Sequence, residues 1–126
     1  MKINILVLTK STILAHLFDI FSHYFSDYEF FSIDDPELAS TMFDNGNFEM
    51  VIVDPLNTTD HSIDNEIKIF VDQIKRKTNI KVVALLSCDI PISFQNMFNS
   101  TINLPFNTNQ ILGFLNKNFK TTQVKI

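Results

Sequence analysis

Short apolar runs alternate along this chain with longer segments in which apolar residues recur at helical spacing. Residues 3–8, 50–53 and 80–86 are almost continuously apolar, which is typical of strands that are covered on both faces. Residues 28–33, which are rich in aromatic side chains, and residues 101–104 are two further runs that favour strands. We therefore predict five strands, each followed by a helix.

Five helices are predicted from apolar residues that lie three or four positions apart. The first helix carries Ile13, Leu14, Leu17, Phe18, Phe21, Tyr24 and Phe25. The second carries Leu38, Ala39, Met42 and Phe43, and the third carries Ile63, Ile67, Phe70, Val71 and Ile74. Residues 91–99 predict a short fourth helix, and the last helix carries Ile111, Leu112, Leu115 and Phe119.

Polar residues and glycine mark where several of these helices begin and end. Ser11 and Thr108 are placed to accept a hydrogen bond from a free N–H of the first turn. Asp35 followed by Pro36 favours the same kind of start for the second helix, with proline at the first helical position. We expect Gly46 to end that helix in the left-handed conformation that glycine tolerates.

The alternation of strands and helices predicts an α/β fold with a doubly wound parallel sheet, (βα)5, in the strand order 2-1-3-4-5. In such sheets, ligands bind beyond the carboxyl ends of the strands. The run 50–53 ends at Asp54 and Pro55, so Asp54 is expected at this functional edge. The crevice at this edge is expected to contain Thr9, Lys10, Asp54, Ser87, Leu104 and Pro105.

Length and composition favour a single globular domain, which we assign to residues 1–120, with a frayed tail over 121–126. The 126 residues are 45% hydrophobic and 19% charged, which is too apolar for a disordered chain. The single cysteine, Cys88, leaves no partner for an internal disulfide and excludes a zinc site built from cysteines. Since neither a membrane-spanning run nor a signal peptide is evident, we expect a cytoplasmic protein without membrane contact.

The formal net charge is −4, and its distribution along the chain is uneven. Residues 1–66 hold 12 acidic residues against 2 lysines, whereas residues 67–126 hold 8 basic residues against 2 aspartates. A chain with this balance is a poor nucleic-acid binder, and the basic cluster at 75–77 suits the C-terminal end of a helix. With only Gly46 and Gly113, the sequence has no glycine-rich loop of the kind that binds nucleotide phosphates.

Three features of the sequence resemble the response-regulator receiver domain family over nearly the whole chain. Asp54 lies at the end of the third strand, where the family has its phosphoacceptor aspartate. Leu104-Pro105-Phe106 follows the fifth strand, where the family usually has Lys-Pro-Phe, and the (βα)5 spacing agrees. The resemblance implies a flavodoxin-like receiver fold, a place in two-component phosphorelay signalling, and a cis peptide bond before Pro105.

The magnesium site of the family is altered in this sequence. Receiver domains carry two acidic residues after the first strand, which hold Mg²⁺ together with the phosphoacceptor aspartate. Aligning the first strands puts Thr9 and Lys10 at these two positions. Threonine and lysine are not the anionic oxygen ligands that Mg²⁺ prefers. We therefore expect magnesium binding to be lost or weak, and no other cofactor or metal is indicated.

The positions that contact or sense the phosphoryl group in the family also differ. The lysine of the fifth strand is replaced by Leu104, and the aromatic switch residue falls on Thr101. The hydroxyl residue at the end of the fourth strand aligns with either Leu86 or Ser87, depending on where the strand begins. Because each such electrostatic contact is worth roughly 10²–10³ in rate, phosphorylation of Asp54 by the usual Mg²⁺ route is disfavoured.

Lys10 has two alternative roles in this crevice. Its ammonium group either pairs with Asp54, replacing the charge of the metal ion by an internal salt bridge, or extends into water. Titration of Asp54 in the wild type and in Lys10→Met separates these alternatives.

Other polar residues are interpreted as surface or packing positions. His16, Asp19 and His23 share one helical face and form at most a weak metal site, so we predict a solvated polar face there. His61 lies in the loop after the third strand, where a surface histidine is the simpler interpretation. Cys88 has no basic partner in the sequence that would activate a thiolate.

In the family, the face formed by the fourth helix, fifth strand and fifth helix is the usual docking or dimer surface. The corresponding residues here are Phe94, Met97, Phe98, Thr101 and Phe106, set among uncharged amides. This composition suits contact with a signalling protein or with a second copy, and the Phe and Met side chains are equally compatible with the core.

The sequence supports three functional hypotheses. The first is a stand-alone, degenerate receiver domain, without an output domain, that binds a protein partner independently of phosphorylation and is not an enzyme. The second is a phosphoacceptor receiver that uses Asp54 in two-component signalling. The third is a small α/β enzyme in which Asp54 acts as nucleophile or base.

Overall fold

The computed structural model describes residues 2–55, 64–86 and 96–119, and within these ranges the chain forms five strands and four helices. In chain order they are β1 (Ile3–Leu8), α1 (Thr12–Tyr24), β2 (Tyr28–Ile33), α2 (Pro36–Asn45), β3 (Met50–Val53), α3 (Asn65–Lys77), β4 (Lys81–Leu86), β5 (Ser100–Asn103) and α4 (Thr108–Phe119). Of the helix predicted over 91–99, only residues 96–99 are described, and they form a turn. The predicted tail, 121–126, lies outside the described residues. None of the described helices has the length and apolar character needed to cross a membrane.

All five strands lie in one parallel sheet with the order β2-β1-β3-β4-β5, which confirms the predicted α/β topology. β3 has the predicted bounds, whereas β4 begins one residue later than predicted. β5 runs from Ser100 to Asn103, so Leu104 lies just beyond it, and its N–H donates to the carbonyl of Leu86 at 2.7 Å. The carboxyl ends of β1, β3 and β5 therefore lie along one edge of the sheet, as expected.

Helices cover both faces of the sheet, which explains why the central strands are apolar without alternation. Val51 and Val53 of β3 pack in the layer covered by α2 and α3, whereas Met50 and Ile52 pack in the layer covered by α1 and α4. All four side chains are fully buried. Burial of side chains of this size contributes roughly 1.5–3 kcal/mol each, so β3 is firmly anchored in the sheet edge that carries Asp54.

Two of the predicted helix starts are confirmed. The Ser11 hydroxyl accepts the N–H of Leu14 at 3.2 Å and caps α1. The Asp35 carboxylate accepts the N–H of Glu37 at 3.2 Å and caps α2, with proline at the first helical position. Both caps satisfy donors that a helix leaves free in its first turn.

The predicted cap of the last helix is wrong, since Asn107 rather than Thr108 caps α4. The Asn107 side chain accepts the N–H of Gln110, and the N–H of Asn107 donates to the side chain of Gln110, both at 2.8 Å. This reciprocal pair is the arrangement of a capping box, and it starts the helix one residue after the cap.

Gly46 ends α2, but the predicted left-handed conformation is wrong. Its backbone is extended, with φ −109° and ψ −176°, which is open to any residue. Space explains the glycine: an added Cβ would lie 2.5 Å from the ring of Phe48 and 2.9 Å from the carbonyl oxygen of Met42. Glycine at position 46 therefore allows the ring of Phe48 and the carbonyl of Met42 to lie close to the backbone at the end of α2.

The predicted apolar face of α1 is too broad. Phe18 and Phe21 are buried against the sheet, but Ile13 and Tyr24 are each 79% exposed. On α2, Leu38 is likewise on the surface, with 53% of its area exposed. Helix α1 thus carries apolar residues on an exposed side as well as on its buried side.

Candidate functional site

The candidate site lies where β1 and β3 end side by side. The N–H of Thr9 donates to the carbonyl of Ile33 at 3.0 Å, and the N–H of Asp54 donates to the carbonyl of Leu8 at 2.9 Å. These bonds continue the ladders of the sheet one residue beyond β1 and β3. Thr9 and Asp54 are therefore held next to each other, at the edge predicted from the sequence.

Thr9 links the two strand ends through its hydroxyl group. The hydroxyl donates to Oδ2 of Asp54 at 3.1 Å and accepts the N–H of Ser11 at 3.0 Å. Because Thr9 is only 3% exposed, both bonds form away from bulk water. The hydroxyl is thus committed to two partners and connects Asp54 to the start of α1.

The Asp54 carboxyl group is half-buried, and its ionisation is affected by that burial. Burial raises its pKa above the ordinary value of 3.8, and the hydrogen bond from Thr9 opposes this rise only in part. No cation among residues 2–55, 64–86 and 96–119 pairs with it. Within the described part of the chain, the charged form of Asp54 therefore has no positive partner that would favour it.

Lys10 pairs with Asp64, and the hypothesis that Lys10 pairs with Asp54 is wrong. Nζ of Lys10 lies 3.2 Å from Oδ2 of Asp64. Asp64 caps α3, because its other carboxylate oxygen accepts the N–H of Glu66 at 2.9 Å. The N–H of Asp64 donates to the carbonyl of Pro55 at 2.9 Å. Lys10 therefore connects the loop after β1 to the start of α3.

The pKa of Asp64 is lowered, whereas the pKa of Asp54 is raised. Burial tends to raise the pKa of Asp64, but the hydrogen bond and charge of Lys10 and the backbone N–H groups of Glu66 and Ile67 hold it below 3.8. Lys10 is 54% exposed and the Asp64 side chain 15% exposed, so the pair lies at the protein surface. The charge of Lys10 is thus balanced by a carboxylate other than that of Asp54.

Among the residues that the structure describes, the groups around Asp54 are as a set poor ligands for Mg²⁺. This ion prefers an octahedral set of oxygen ligands in which carboxylates supply negative charge. At the two positions after β1, the chain instead has a hydroxyl bonded to Asp54 and an ammonium group bonded to Asp64. In the described part of the chain, no three His, Cys, Asp or Glu side chains are grouped so that they could hold a metal ion.

Leu104 and Pro105 line an apolar groove beside α1. The groove has a volume of about 430 Å³ and is also lined by Leu14, Leu17 and Phe106. The peptide bond between Leu104 and Pro105 is cis, as the resemblance implied. Leu104 therefore contributes apolar surface at the position where a receiver domain usually has a lysine.

The alternatives for the end of the fourth strand are only partly resolved by the structure. Leu86 is 7% exposed and packs in the core layer under α2 and α3, so its side chain belongs to the core. Ser87, the other alternative, lies outside the described residues, as do Cys88 and His61.

The predicted interaction face offers little apolar surface where it is described. Phe98 is 7% exposed and packs in the core, so its assignment to a contact face is wrong. Met97 packs against the same core layer, and the ring of Phe106 lies 6.1 Å from two aromatic rings of α1. Thr101 is exposed on β5, and Phe94 lies outside the described residues.

Two features escaped the interpretation of the sequence: the Lys10–Asp64 pair and the exposed apolar side of α1. Nothing in the sequence shows that Lys10 reaches a carboxylate 54 positions later, because the contact depends on how two loops meet. The exposed apolar side of α1 was indicated in the sequence, because the apolar residues of this helix are spread over more of its surface than a single buried face needs. His16 and His23 are exposed on the same helix.

No protein-family model matches the sequence, and no curated protein matches it. Among solved structures, the chemotaxis protein CheY4 from Vibrio cholerae matches with a TM-score of 0.74 at 16% identity, over 93% of this chain and 98% of that chain. The response regulator protein TrrA from Thermotoga maritima, in complex with Mg²⁺-BeF, matches with a TM-score of 0.70 at 20% identity, over 93% of this chain and 98% of that one.

A third match is the receiver domain of the sensor histidine kinase PA1611 from Pseudomonas aeruginosa, which has a magnesium ion coordinated in its active site cleft. Its TM-score is 0.72 at 11% identity, over 93% of this chain and 97% of that chain. TrrA is also known in complex with the histidine kinase ThkA. These similarities show that the chain has the flavodoxin-like fold of response-regulator receiver domains.

Proposed function

We propose that this chain is an atypical receiver domain that binds a signalling protein and is not controlled by phosphorylation. The observation that supports the proposal most directly concerns the two positions after β1: Thr9 forms a hydrogen bond with Asp54, and Lys10 forms a salt bridge with Asp64. The receiver fold, shared with proteins of two-component signalling, supports the signalling context. A cytoplasmic location is part of the same proposal.

Phosphoryl transfer to Asp54 needs positive charge around the transferred group, because negative charge is spread over its three equatorial oxygens. In this chain, the positions of the cation-binding carboxylates hold Thr9 and Lys10, and the position of the lysine holds Leu104. Loss of one contact of this kind costs on the order of 3–4 kcal/mol, or 10²–10³ in rate. Although such losses are not additive, two of them make phosphorylation by the usual route very slow.

In this proposal, Asp54 has a structural role. It accepts the hydroxyl of Thr9, which also accepts the N–H of Ser11, so β1, β3 and α1 are connected at one point. The pair of Lys10 and Asp64 adds a connection from the same loop to α3. These two links favour a single arrangement of the crevice that does not depend on a bound ion.

Binding is favoured over catalysis by the surroundings of Asp54. Its described side-chain partner is a threonine hydroxyl, which is neither a strong base nor a strong acid. The complex of TrrA with a histidine kinase shows that a protein of this fold binds a signalling protein. We propose a partner of the same class for this chain.

Incubation with acetyl phosphate and Mg²⁺, followed by intact-mass measurement, tests the proposal. We expect the wild type to gain no phosphoryl group under conditions that modify a working receiver domain. The positive control restores the residues of the family in one variant, Thr9→Asp/Lys10→Asp/Leu104→Lys. This variant is expected to gain one phosphoryl group, and Asp54→Asn in the same background is expected to abolish the gain.

Two results would contradict the proposal. A phosphoryl group that is gained by the wild type and lost in Asp54→Asn would favour a phosphoacceptor receiver instead. Mg²⁺-dependent turnover of acetyl phosphate without accumulation of a modified protein would favour an enzyme. If neither is seen, the wild type and Asp54→Asn should also capture the same protein partner from cells with equal efficiency.

A further inference from the structure

Asn45 and Gly46 form an asparagine–glycine pair at the carboxyl end of α2. Asn45 is the last residue of that helix, and Gly46 is its cap. Both residues are exposed to solvent. Of all the asparagines in the sequence, Asn45 is the only one that is followed by glycine. The end of α2 therefore combines solvent exposure with a dipeptide that is known for its chemical reactivity.

The side-chain amide of asparagine reacts with the backbone that follows it, which makes asparagine one of the less durable residues. The nitrogen of the next peptide group loses its proton, attacks Cγ and displaces the amide as ammonia, so that a five-membered succinimide ring forms. Water then opens the ring at either carbonyl and gives aspartate or isoaspartate. Overall, one water is consumed and one ammonia is released. Glycine favours the attack most, because it has no Cβ that shields the nitrogen.

The position of Asn45 in α2 favours closure of this ring. Inside a helix, the hydrogen-bond ladder on both sides fixes the backbone and opposes the rotation that the attack needs. At the last helical residue the ladder continues on one side only, and helix ends fray. Gly46 has already left the helical conformation, with φ −109° and ψ −176°. Within the described part of the chain, no hydrogen bond holds the side chain of Asn45.

Asn99 provides a comparison within the same chain. It is followed by Ser100, another small residue, and it is also exposed. However, its side-chain oxygen accepts the N–H of Val82 at 2.8 Å, and its own N–H donates to the carbonyl of Val82 at 2.9 Å. Both bonds must break before the Asn99 side chain can turn towards Ser100. Freedom from such bonds therefore distinguishes Asn45 from Asn99.

Isoaspartate at position 45 would disturb a closely packed junction. Phe48 is only 9% exposed, and its ring stacks on that of Phe43 with the centroids 6.4 Å apart. There is little space beside Gly46, since an added Cβ would lie 2.5 Å from the Phe48 ring. Isoaspartate lengthens the backbone by one methylene group immediately before Gly46. We expect this change to displace the Phe48 ring from its place between α2 and the sheet.

The new carboxylate is also placed unfavourably for its charge. It lies at the carboxyl end of α2, where the helix dipole is negative and the last turn contains no basic residue. Lys77 of α3 reaches this end of α2, but it already pairs with Asp44 at 2.8 Å. Conversion of Asn45 therefore adds a second negative charge next to Asp44.

We propose that Asn45 is a site of spontaneous deamidation in the folded chain, and that isoaspartate at this position weakens the junction between α2 and β3. Strand β3 begins at Met50 and leads to Asp54, so the modification acts at the other end of the strand from the candidate site. The inference goes beyond the proposed function and does not rest on it, because it requires neither a partner nor the chemistry of Asp54.

Incubation of the full chain in warm, mildly alkaline buffer, followed by intact-mass measurement and peptide mapping, tests the reaction. We expect the mass to rise by the difference between an amide and a carboxyl group, with aspartate and isoaspartate both found at position 45. Asn45→Gln is expected to lose this gain, because glutamine would have to close a larger ring. The matched control is Asn47→Gln, which lies two residues away, is also exposed and should retain the gain.

The same incubation in urea shows whether the folded structure determines which asparagine reacts. In the folded chain we expect Asn45 to react and Asn99 to remain intact, whereas in urea Asn99 should react as well, because its bonds to Val82 are lost. Reaction of Asn45 only in urea would overturn the proposal, since α2 would then protect it. Equal rates at Asn45 and Asn99 in the folded chain would also overturn it.

Urea unfolding of the separated products tests the effect on the junction. Anion exchange separates the modified chain by its additional negative charge, and the isoaspartate form is expected to unfold at a lower urea concentration than the unmodified chain. Asn45→Asp, which adds the charge without the methylene group, is expected to fall between the two. Equal midpoints for the isoaspartate form and the unmodified chain would overturn the proposed weakening of the junction.

Discussion

Two side chains after β1 determine how charge is arranged around Asp54. Thr9 gives Asp54 a neutral hydrogen bond, whereas Lys10 pairs with Asp64 at 3.2 Å. Burial then raises the pKa of Asp54, and the pair with Lys10 helps to lower that of Asp64. The two aspartates consequently affect the stability of the fold in opposite directions as the pH changes.

Asp54→Asn is expected to raise the free energy of unfolding at neutral pH relative to the wild type. Because the folded state raises the pKa of Asp54, its ionised form opposes folding at pH values above that raised pKa. Below the ordinary value of 3.8 the group is protonated in both states, so the advantage of asparagine disappears. Urea unfolding at a series of pH values measures this difference.

The matched control for Asp54→Asn is Asp72→Asn. Asp72 is exposed and pairs with Arg76 at 2.8 Å, so its replacement should not stabilise the protein. A wild type that is more stable than Asp54→Asn at neutral pH would contradict the description of Asp54 as a half-buried carboxyl group that has no cationic partner among the residues the structure describes.

Lys10→Met is expected to raise the pKa of Asp64 towards 3.8 and to leave that of Asp54 unchanged. Since the lowered pKa of Asp64 contributes stability above 3.8 that is lost as the pH falls through the lowered pKa, the variant should lose part of this contribution. With Lys10 54% exposed, the loss should be about 0.2–1 kcal/mol. NMR titration of the carboxyl carbons separates the two aspartates, and a shift confined to Asp54 would contradict the pairing.

Among the elements, the strands and helices with strong local signals could be predicted from the sequence. The apolar run of β3 predicted that strand correctly, because burial on two faces requires apolar residues. Ser11 and Asp35 predicted the starts of α1 and α2 correctly, because the free N–H groups of a first turn need an acceptor. It was harder to predict which of two neighbouring residues of similar chemistry caps a helix. Asn107 and Thr108 are both good caps, and only the reciprocal bonds with Gln110 show which one is used.

Alanine substitutions at Gly46 and Gly113 test whether an added methyl group has space at the end of α2 and within α4. Gly113→Ala in α4 is expected to stabilise the protein by about 1 kcal/mol, since alanine favours helix and nothing lies within 4 Å of the added Cβ. Gly46→Ala is expected to destabilise it by about 1–3 kcal/mol, because its Cβ would lie 2.5 Å from the ring of Phe48. Thermal unfolding of both variants checks the contrast, and a shift of the same sign in both would contradict it.

For the whole molecule, the fold was predictable to a greater extent than the site. Alternating elements leave few topologies for a parallel sheet, so the strand order followed from general rules. The position of Asp54 followed from the end of β3. The partner of Lys10 could not be predicted from the sequence. Lysine has a long, flexible side chain, and the carboxylate with which it pairs depends on tertiary contacts between loops. Similarly, periodicity alone did not separate Phe98, which is in the core, from surface residues.

The central proposal is that the crevice of this receiver fold does not bind Mg²⁺ beside Asp54, and a magnesium titration followed by NMR tests it most directly. We predict no saturable change at the amides of Thr9, Lys10 and Asp54 of the wild type at concentrations well above those in cells. The variant Thr9→Asp/Lys10→Asp should show saturable changes at these positions, because two carboxylates again surround the crevice. Saturable binding by the wild type that Asp54→Asn abolishes would contradict the claim.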